Sequence, residues 1–417
     1  MNLVRTTLFS GIITIIRIVS GFISSKVIAV YTGPSGVALI GAFTNFISIV
    51  LTFANGAINT GVVKFTAEYD NNDEKLKSLF STSFKISLSC SGFVGLILII
   101  FGSFFSNWIF TTRLYSNPIR VLGLTIILYS LNSLLISILN GKKQIKTYTI
   151  VNTVGSIVGL LFTLILVYYF KLEGALYAMV LSQSIIFFVT LFLITQSDWF
   201  TWDYFKQNLD VDILKKLSHY SLMAIVSALT VPISQIIIRN MLISTHGMQA
   251  AGIWQGMMRI SDGYLMLVTT ALATYYLPKL SSLHTDRELR VEILQGYKLI
   301  IPAVFFSCLF IYVLRSYIIK LLYTPEFINM SNLFFYQLLG DFFKMCSWIL
   351  AYLMLAKSMT KLFVITEIGF SLLYILLGYI CVIYFGVKGI TIAFAINYFL
   401  YFLIIVFVFR KLLFNKI

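Results

Sequence analysis

Apolar runs of about twenty residues follow one another along nearly the whole 417-residue chain, separated by short polar breaks. A helix needs ~20 apolar residues to cross a hydrocarbon core, so each run predicts one spanning helix. The runs lie near 6–30, 36–60, 79–104, 119–139, 148–170, 174–196, 217–240, 250–276, 297–318, 333–355, 362–385 and 388–410. Backbone polar groups in lipid must be satisfied internally, which leaves helices or closed barrels. The period-two alternation of barrel strands is absent. The pattern therefore predicts an all-α polytopic membrane protein of about twelve transmembrane helices. The longest connections, around 61–78, 197–216 and 277–296, are short and charged, and no soluble domain fits between the runs.

Composition agrees: 59% of residues are hydrophobic and 11% charged, against roughly 25% charged in soluble domains. The net charge of +15 would suggest nucleic acid in a soluble protein, but its placement gives it another meaning. With alternate loops assigned to the cytoplasm from the N-terminus, the inner set holds 20 Lys and Arg and the outer set 6. That asymmetry satisfies the positive-inside rule. Both termini are then cytoplasmic, and no nucleic-acid partner is implied. Arg17 and Lys26 interrupt the first run and no small-residue cleavage site follows, so the first helix is expected to stay. Cys90, Cys308, Cys346 and Cys381 fall in apolar runs without metal-ligand spacing and read as small core residues.

The two halves resemble each other at an offset of 215. Lys64 matches Lys279, Lys142 matches Lys357, Lys146 matches Lys361 and Ser156 matches Ser371; Tyr169-Phe170 matches Tyr384-Phe385, and Gly174 matches Gly389. The matched lysines sit in loops, where apolar bias does not produce them. Six helices per half give two lobes, 1–200 and 201–417, related by a parallel repeat, an arrangement that places a substrate path near the midplane.

Eight ionisable residues fall inside the predicted helices: Arg17, Lys26, Arg239, Arg259, Lys344, Asp262, Asp341 and Glu367. Each costs roughly 2.5–3.5 kcal/mol at a helix centre, so most must face protein or water. At about 100° per residue, Gln255, Arg259, Asp262 and Thr269 share one face, as do Gln337, Asp341, Lys344 and Trp348. Arg17 shares a stripe with Ser10, Thr14, Gly21 and Ser24; Asn45, Thr52 and Asn59 mark a polar side of the second helix; Lys26 lies opposite Arg17. Interhelical glue is the alternative for Arg259–Asp262 and Asp341–Lys344, as i,i+3 pairs. The first six helices hold two cations and no acid, and the last six hold three of each. Such a lumen attracts anions, and phosphate or pyrophosphate suits Arg and Lys. Arg17, Lys26, Arg239, Arg259 and Lys344 are the candidate pyrophosphate ligands. Asp262, Asp341 and Glu367 are candidates for coupling to a proton or sodium gradient, since buried carboxylates titrate when desolvated; no other cofactor is expected.

Several stretches carry a family resemblance: Tyr31-Thr32-Gly33-Pro34-Ser35-Gly36 after Lys26; Gly61-Val62-Val63-Lys64; Gly252-Ile253-Trp254-Gln255-Gly256 with Ile260-Ser261-Asp262; Leu277-Pro278-Lys279-Leu280-Ser281; and Gln337-Leu338-Leu339-Gly340-Asp341 with Lys344. Over essentially its whole length the chain resembles the Wzx-type lipid-linked oligosaccharide flippases, which include O-antigen and enterobacterial common antigen types. They belong to the multidrug/oligosaccharidyl-lipid/polysaccharide exporter superfamily. Arg17 stands where common-antigen flippases carry Lys, whereas Arg259 is not shared. The resemblance implies two six-helix lobes working by alternating access in the bacterial inner membrane. It implies as substrate an undecaprenyl-pyrophosphate-linked oligosaccharide carried from the cytoplasmic to the periplasmic leaflet, among membrane lipids and alongside polysaccharide polymerase and chain-length proteins. Asn45, Asn59, Trp254, Gln255, Gln337 and Trp348 are then candidate sugar contacts. The abundance of Ile, Phe, Asn, Lys and Tyr hints at an AT-rich gene and favours an O-antigen unit.

Two rival readings differ in class. A multidrug exporter of the same superfamily would be expected to place an acid in the first half, which has none. A membrane polymerase or glycosyltransferase would need a sizeable extracytoplasmic loop. The outer loops are short, His219, His246 and His284 are isolated, and no Ser/His/Asp, Walker or zinc pattern occurs. An enzyme is not expected.

Overall fold

The computed structural model describes residues 3–283, 285–357 and 359–414, with side chains except those at 3–10, 12, 219, 220, 274 and 278. Of the positions singled out in the sequence, Ser10, His219, Pro278 and His284 have side chains outside that description. The helices are α1 Leu3–Ala54, α2 Asn59–Glu68, α3 Asp73–Ile100, α4 Gly102–Phe110, α5 Ser116–Gly141, α6 Ile145–Thr195, α7 Val211–Ala271, α8 Leu277–Ser282, α9 Asp286–Leu322, α10 Phe334–Ala356, α11 Thr360–Phe385, α12 Lys388–Val408 and α13 Arg410–Phe414. No strand occurs among the described residues. Among the described residues nine helices are long and apolar enough to span a membrane. Three of these, α1, α6 and α7, are each broken by one non-helical residue: Gly33 (φ 62°), Lys171 (φ 49°) and Gly247 (φ 84°). Each therefore holds two spans, and the twelve predicted runs are resolved. Large apolar side chains such as Phe93, Leu96, Phe306 and Leu321 lie exposed along these helices, which water would not tolerate in such number and lipid does. The chain is a multi-pass membrane protein.

Two boundaries differ from the sequence reading for local reasons. The second span stops at Ala54 rather than near 60, because Gly56 and Ala57 both take positive φ, a pair of left-handed residues that no right-handed helix accommodates. The ninth span begins at Asp286, well before 297. There the Thr285 hydroxyl accepts from Glu288 N–H, and the Glu288 carboxylate accepts from Thr285 N–H (both 3.3 Å). This capping box satisfies donors at a charged helix end that a search for apolar runs passes over.

Two compact units make up the chain, Met1–Tyr31 with Leu39–Pro232 and Thr32–Ala38 with Ile233–Ile417. The changeover thus falls inside α7, whereas the sequence reading places a lobe boundary at 200.

In the first unit α3 packs on α5 where a Cβ on Gly95 would stand 2.6 Å from the Gly123 carbonyl oxygen; small residues let helices approach this closely. Buried polar groups tie neighbouring helices: Ser130 Oγ donates to Asn55 Oδ1 (2.5 Å) and Thr190 Oγ1 to Asn132 Oδ1 (2.7 Å). The connection after α6 is built onto α3. Trp199, Phe200, Tyr204 and Phe205 pack against a core containing Leu76, Leu79 and Phe80. Tyr204 O–H donates to Asp73, and burial with this carboxylate contact pushes its phenol up to about 12.

Asp210 closes the connection as the N-cap of α7. Its Oδ1 accepts from the N–H groups of Asp212 and Ile213, and its Oδ2 from Ser78 Oγ at 2.8 Å. The Ser78 hydrogen bond, aided by the backbone donors and Lys216, holds this carboxyl below 3.8 against the opposing effect of desolvation. Asp210→Ala is expected to lower stability by about 1 kcal/mol, the usual cost of a lost N-cap. The sign with pH follows from the depressed pKa. The ionised cap stabilises fully above the unfolded carboxyl value, and the margin over the variant shrinks as pH falls through the lower folded value. Thermal unfolding in detergent at pH 7 and at pH 3 measures both.

In the second unit α10 packs on α12, with Gly340 against Phe394 and the backbone of Ala395. The turn at 32–38 is built into this unit: a Cβ on Gly252 would stand 1.8 Å from the Pro34 carbonyl oxygen.

The repeat read from lysines reappears as geometry within each unit. Lys171 (φ 49°) and Gly386 (φ 59°), 215 apart, both take left-handed conformations at the turn between consecutive spans. Beyond each turn a glycine meets the preceding helix. A Cβ on Gly174 would lie 1.9 Å from the Leu166 carbonyl oxygen, and one on Gly389 would lie 2.1 Å from that of Cys381, again 215 apart. Tyr169 and Tyr384 are exposed before their turns, as aromatic residues at a membrane interface commonly are.

Candidate functional site

In the first unit the candidate chemistry gathers at Arg17, in the first span of α1. Thr14, one turn earlier, is buried, whereas Arg17 is exposed. Its Nη2 donates to Asn152 Oδ1 of α6 at 2.9 Å. The Asn152 amide is held in turn, its Nδ2 donating to the Tyr148 carbonyl at 2.8 Å. Among the described residues Arg17 makes no ion pair, so its charge is oriented without being neutralised. Gly21, one turn on, has open space beside it: an added Cβ would meet nothing within 4 Å. Lys26 lies half-buried further along the same helix. Asn45 is half-buried, and Asn59 donates to Ser133 Oγ at 2.8 Å, joining the start of α2 to α5.

In the second unit a buried carboxylate organises the candidates. Asp341 is wholly enclosed and accepts from Ser261 Oγ (2.7 and 2.6 Å to its two oxygens), from Tyr264 O–H at 2.8 Å and from Gln337 Nε2 at 3.2 Å. Gln337 stands one helical turn before Asp341 on α10 and is likewise buried, its Oε1 without a hydrogen-bond partner among the described residues. The ammonium of Lys344 lies over the rings of Trp348 (5.0 Å) and Tyr398 (5.8 Å). Hydroxyl and amide donors thus hold the acid, and cation–π contacts hold the base one turn away. On α10 the structure brings Gln337 to Asp341 and Lys344 to Trp348, and it adds Ser261 and Tyr264 around the acid and Tyr398 beside the lysine.

The remaining candidates are placed differently. Arg239 is buried, with Nη2 donating to Asn240 Oδ1 at 2.9 Å. Arg259 and Asp262 are exposed on α7, and Gln255 and Glu367 are half-buried. Trp254 is wholly buried, so its ring is a packing surface in this conformation and offers no face to a sugar. Asn152 is not singled out in the sequence, where it lies on no polar stripe noted above. The polar side chain facing Arg17 on a neighbouring helix becomes visible only in three dimensions.

The family model for polysaccharide biosynthesis proteins matches residues 37–332. The chain belongs to this family. Two curated relatives, each named lipid III flippase, come from Escherichia coli (strain K12) and Shigella flexneri. Both are 28% identical over 407 residues, covering 96% of this chain and 97% of theirs. The resemblance to lipid-linked oligosaccharide flippases drawn from the Gly-Ile-Trp-Gln and Gln-x-x-Gly-Asp stretches is thereby supported. Among solved structures, a multidrug resistance MATE family transporter of the MOP superfamily, in an inward-facing conformation, superposes with a TM-score of 0.81 at 15% identity. The match covers 97% of this chain and 98% of that one. A MOP superfamily transporter from Pyrococcus furiosus, whose binding pocket is described as reversed in polarity, gives 0.72 at 16% identity with 96% of each chain covered. At such identity the likeness shows the fold, which is that of MOP superfamily transporters.

Proposed function

We propose that the protein is a flippase that carries an undecaprenyl-pyrophosphate-linked oligosaccharide, of the O-antigen class, from the cytoplasmic to the periplasmic leaflet of the bacterial inner membrane. Both termini are cytoplasmic in this reading, and the cycle is one of alternating access. The observation that carries it is Arg17: a guanidinium within a spanning helix, exposed, and held by a neutral amide instead of an acid. A fixed cation in that setting favours an anionic head group over a cationic drug, and guanidinium matches phosphate oxygens bidentately. The 28% identity to lipid III flippases over nearly the full chain supports the same substrate class. Lys26, Arg239, Arg259 and Lys344 are the further candidate cations. Asn45, Asn59, Gln255 and Trp348 are candidates for sugar hydroxyls and ring faces, and the wholly buried Gln337 instead holds Asp341. The polyprenyl tail stays in lipid while the polar head crosses inside the protein. Asp341, with Asp262 and Glu367, is the proposed site of coupling to a proton or sodium gradient. Polysaccharide polymerase and chain-length proteins are the expected neighbours that use the product.

The test is reconstitution in liposomes. Transbilayer movement of an undecaprenyl-pyrophosphate-linked sugar is followed with a cationic dye in parallel, with and without proton and sodium gradients. Movement of the lipid and not the dye, accelerated by one gradient, is the expected result. Movement of the dye alone would overturn the reading in favour of a multidrug exporter.

A further inference from the structure

We infer that Asn152 is a positioning residue for the substrate's phosphates: it aims the Arg17 guanidinium from a neighbouring helix while leaving its full positive charge for the ligand. The inference rests on the proposed pyrophosphate substrate and assigns the part of the site that gives Arg17 its orientation. An arginine carries five N–H donors, and Arg17 spends one group, Nη2, on Asn152 Oδ1 at 2.9 Å. The remaining donors are enough for a forked contact with two phosphate oxygens. Asn152 is itself fixed at both ends, by its Nδ2 bond to the Tyr148 carbonyl (2.8 Å) and by its place on α6, where its carbonyl accepts from Ser156 Oγ at 2.9 Å. The open space at Gly21 lies one turn from the guanidinium on the same helix.

The choice of amide is the specific point. Aspartate has nearly the same shape as asparagine and would still accept from Arg17, while losing, as alanine does, the N–H donated to the Tyr148 carbonyl. It would also pair with Arg17 and cancel the charge that an anion must find, so a phosphate would have to compete with a carboxylate fixed beside it. Alanine would leave the charge and remove the aim. The two substitutions therefore separate orientation from electrostatics, which a purely structural role for Asn152 would not.

The experiment uses the purified full-length protein in detergent, with farnesyl pyrophosphate as the probe and inorganic pyrophosphate as the lipid-free comparison. Dissociation constants are measured for the wild type, Asn152→Ala, Asn152→Asp, Arg17→Gln and the double variant Arg17→Gln/Asn152→Asp, with thermal unfolding as the check on folding. Losing one aimed, charge-assisted contact predicts binding about tenfold weaker for Asn152→Ala, and adding the competing carboxylate predicts about 100-fold for Asn152→Asp. In the Arg17→Gln background, adding Asn152→Asp is expected to change affinity by no more than about twofold, since contacting residues couple and the coupling vanishes with the partner. Inorganic pyrophosphate should rank the variants in the same order. Wild-type affinity in Asn152→Asp, equal losses in the Asp and Ala variants, or an undiminished loss in the Arg17→Gln background would each overturn the role of Asn152. A wild type that binds neither probe would instead overturn the pyrophosphate reading on which it rests. If the aspartate variant does not fold, the Asn152→Ala loss must disappear in the Arg17→Gln background, and its persistence there would refute the proposal.

Discussion

Arg17→Ala is expected to reduce transbilayer movement of the lipid-linked sugar by at least about 100-fold, to the level of protein-free liposomes, while Arg17→Lys keeps a measurable fraction. The magnitude follows from removing a forked, charge-assisted contact, each of whose bonds is worth about 1.5–3 kcal/mol, at ~1.4 kcal/mol per tenfold. Lysine restores the charge as a point and loses the fork, so it recovers part of the loss. Stability is expected to change little, because Arg17 is exposed and, among the described residues, makes one hydrogen bond to protein. Transport and unfolding are therefore measured on the same preparations. Equal transport by wild type, Ala and Lys variants would remove Arg17 from the mechanism.

The largest stability effect is expected at Gly252. A Cβ there would lie 1.8 Å from the carbonyl oxygen and 2.3 Å from the carbonyl carbon of Pro34. Both are backbone atoms in a turn constrained on one side by Gly33 at φ 62° and on the other by the proline ring. A flexible side chain would swing away; this turn cannot, so either it or the helix must shift. Overpacking typically costs about 1–3 kcal/mol, and a backbone obstacle puts Gly252→Ala at the upper end. Gly369→Ala is the control. It sits in α11 with nothing within 4 Å of an added Cβ, and alanine there gains up to about 1 kcal/mol of helix propensity. Thermal unfolding of the two variants should therefore move in opposite directions. A Gly252→Ala protein as stable as wild type would show that the turn does not hold its place against α7.

The spans were legible because lipid imposes one simple rule: a run of apolar residues long enough to cross. The parallel repeat was legible at Lys142 and Lys357, where polar residues in loops stand out against apolar background. Its physical basis was not, since nothing in the sequence shows that Lys171 and Gly386 each take a left-handed turn or that Gly174 and Gly389 meet equivalent carbonyls, those of Leu166 and Cys381. On α10 the one-turn spacing of Gln337 and Asp341, and of Lys344 and Trp348, is visible in the sequence, and each of these two pairs is in contact. On α7 the stretch Ile260-Ser261-Asp262 drew attention to Asp262, yet a rotation of about 100° per residue turns Ser261 inward to Asp341 and leaves Asp262 exposed. Tyr264, three residues beyond Ser261, follows it to the same carboxylate. The hydroxyls of Ser261 and Tyr264 lie on a different helix from the acid they hold, so no pattern along a single helix reveals them.

The turn at 32–38 belongs to a unit most of which is encoded far downstream. During synthesis, Pro34 is made more than two hundred residues ahead of Gly252; at 5–20 residues per second that is a wait of roughly 10–40 s. The second unit therefore cannot be completed from its own stretch of gene. A fragment starting at residue 201 emerges from the ribosome lacking a piece of its own interior, and co-expressing the two halves as separate chains succeeds only if the first fragment keeps that turn available for the second.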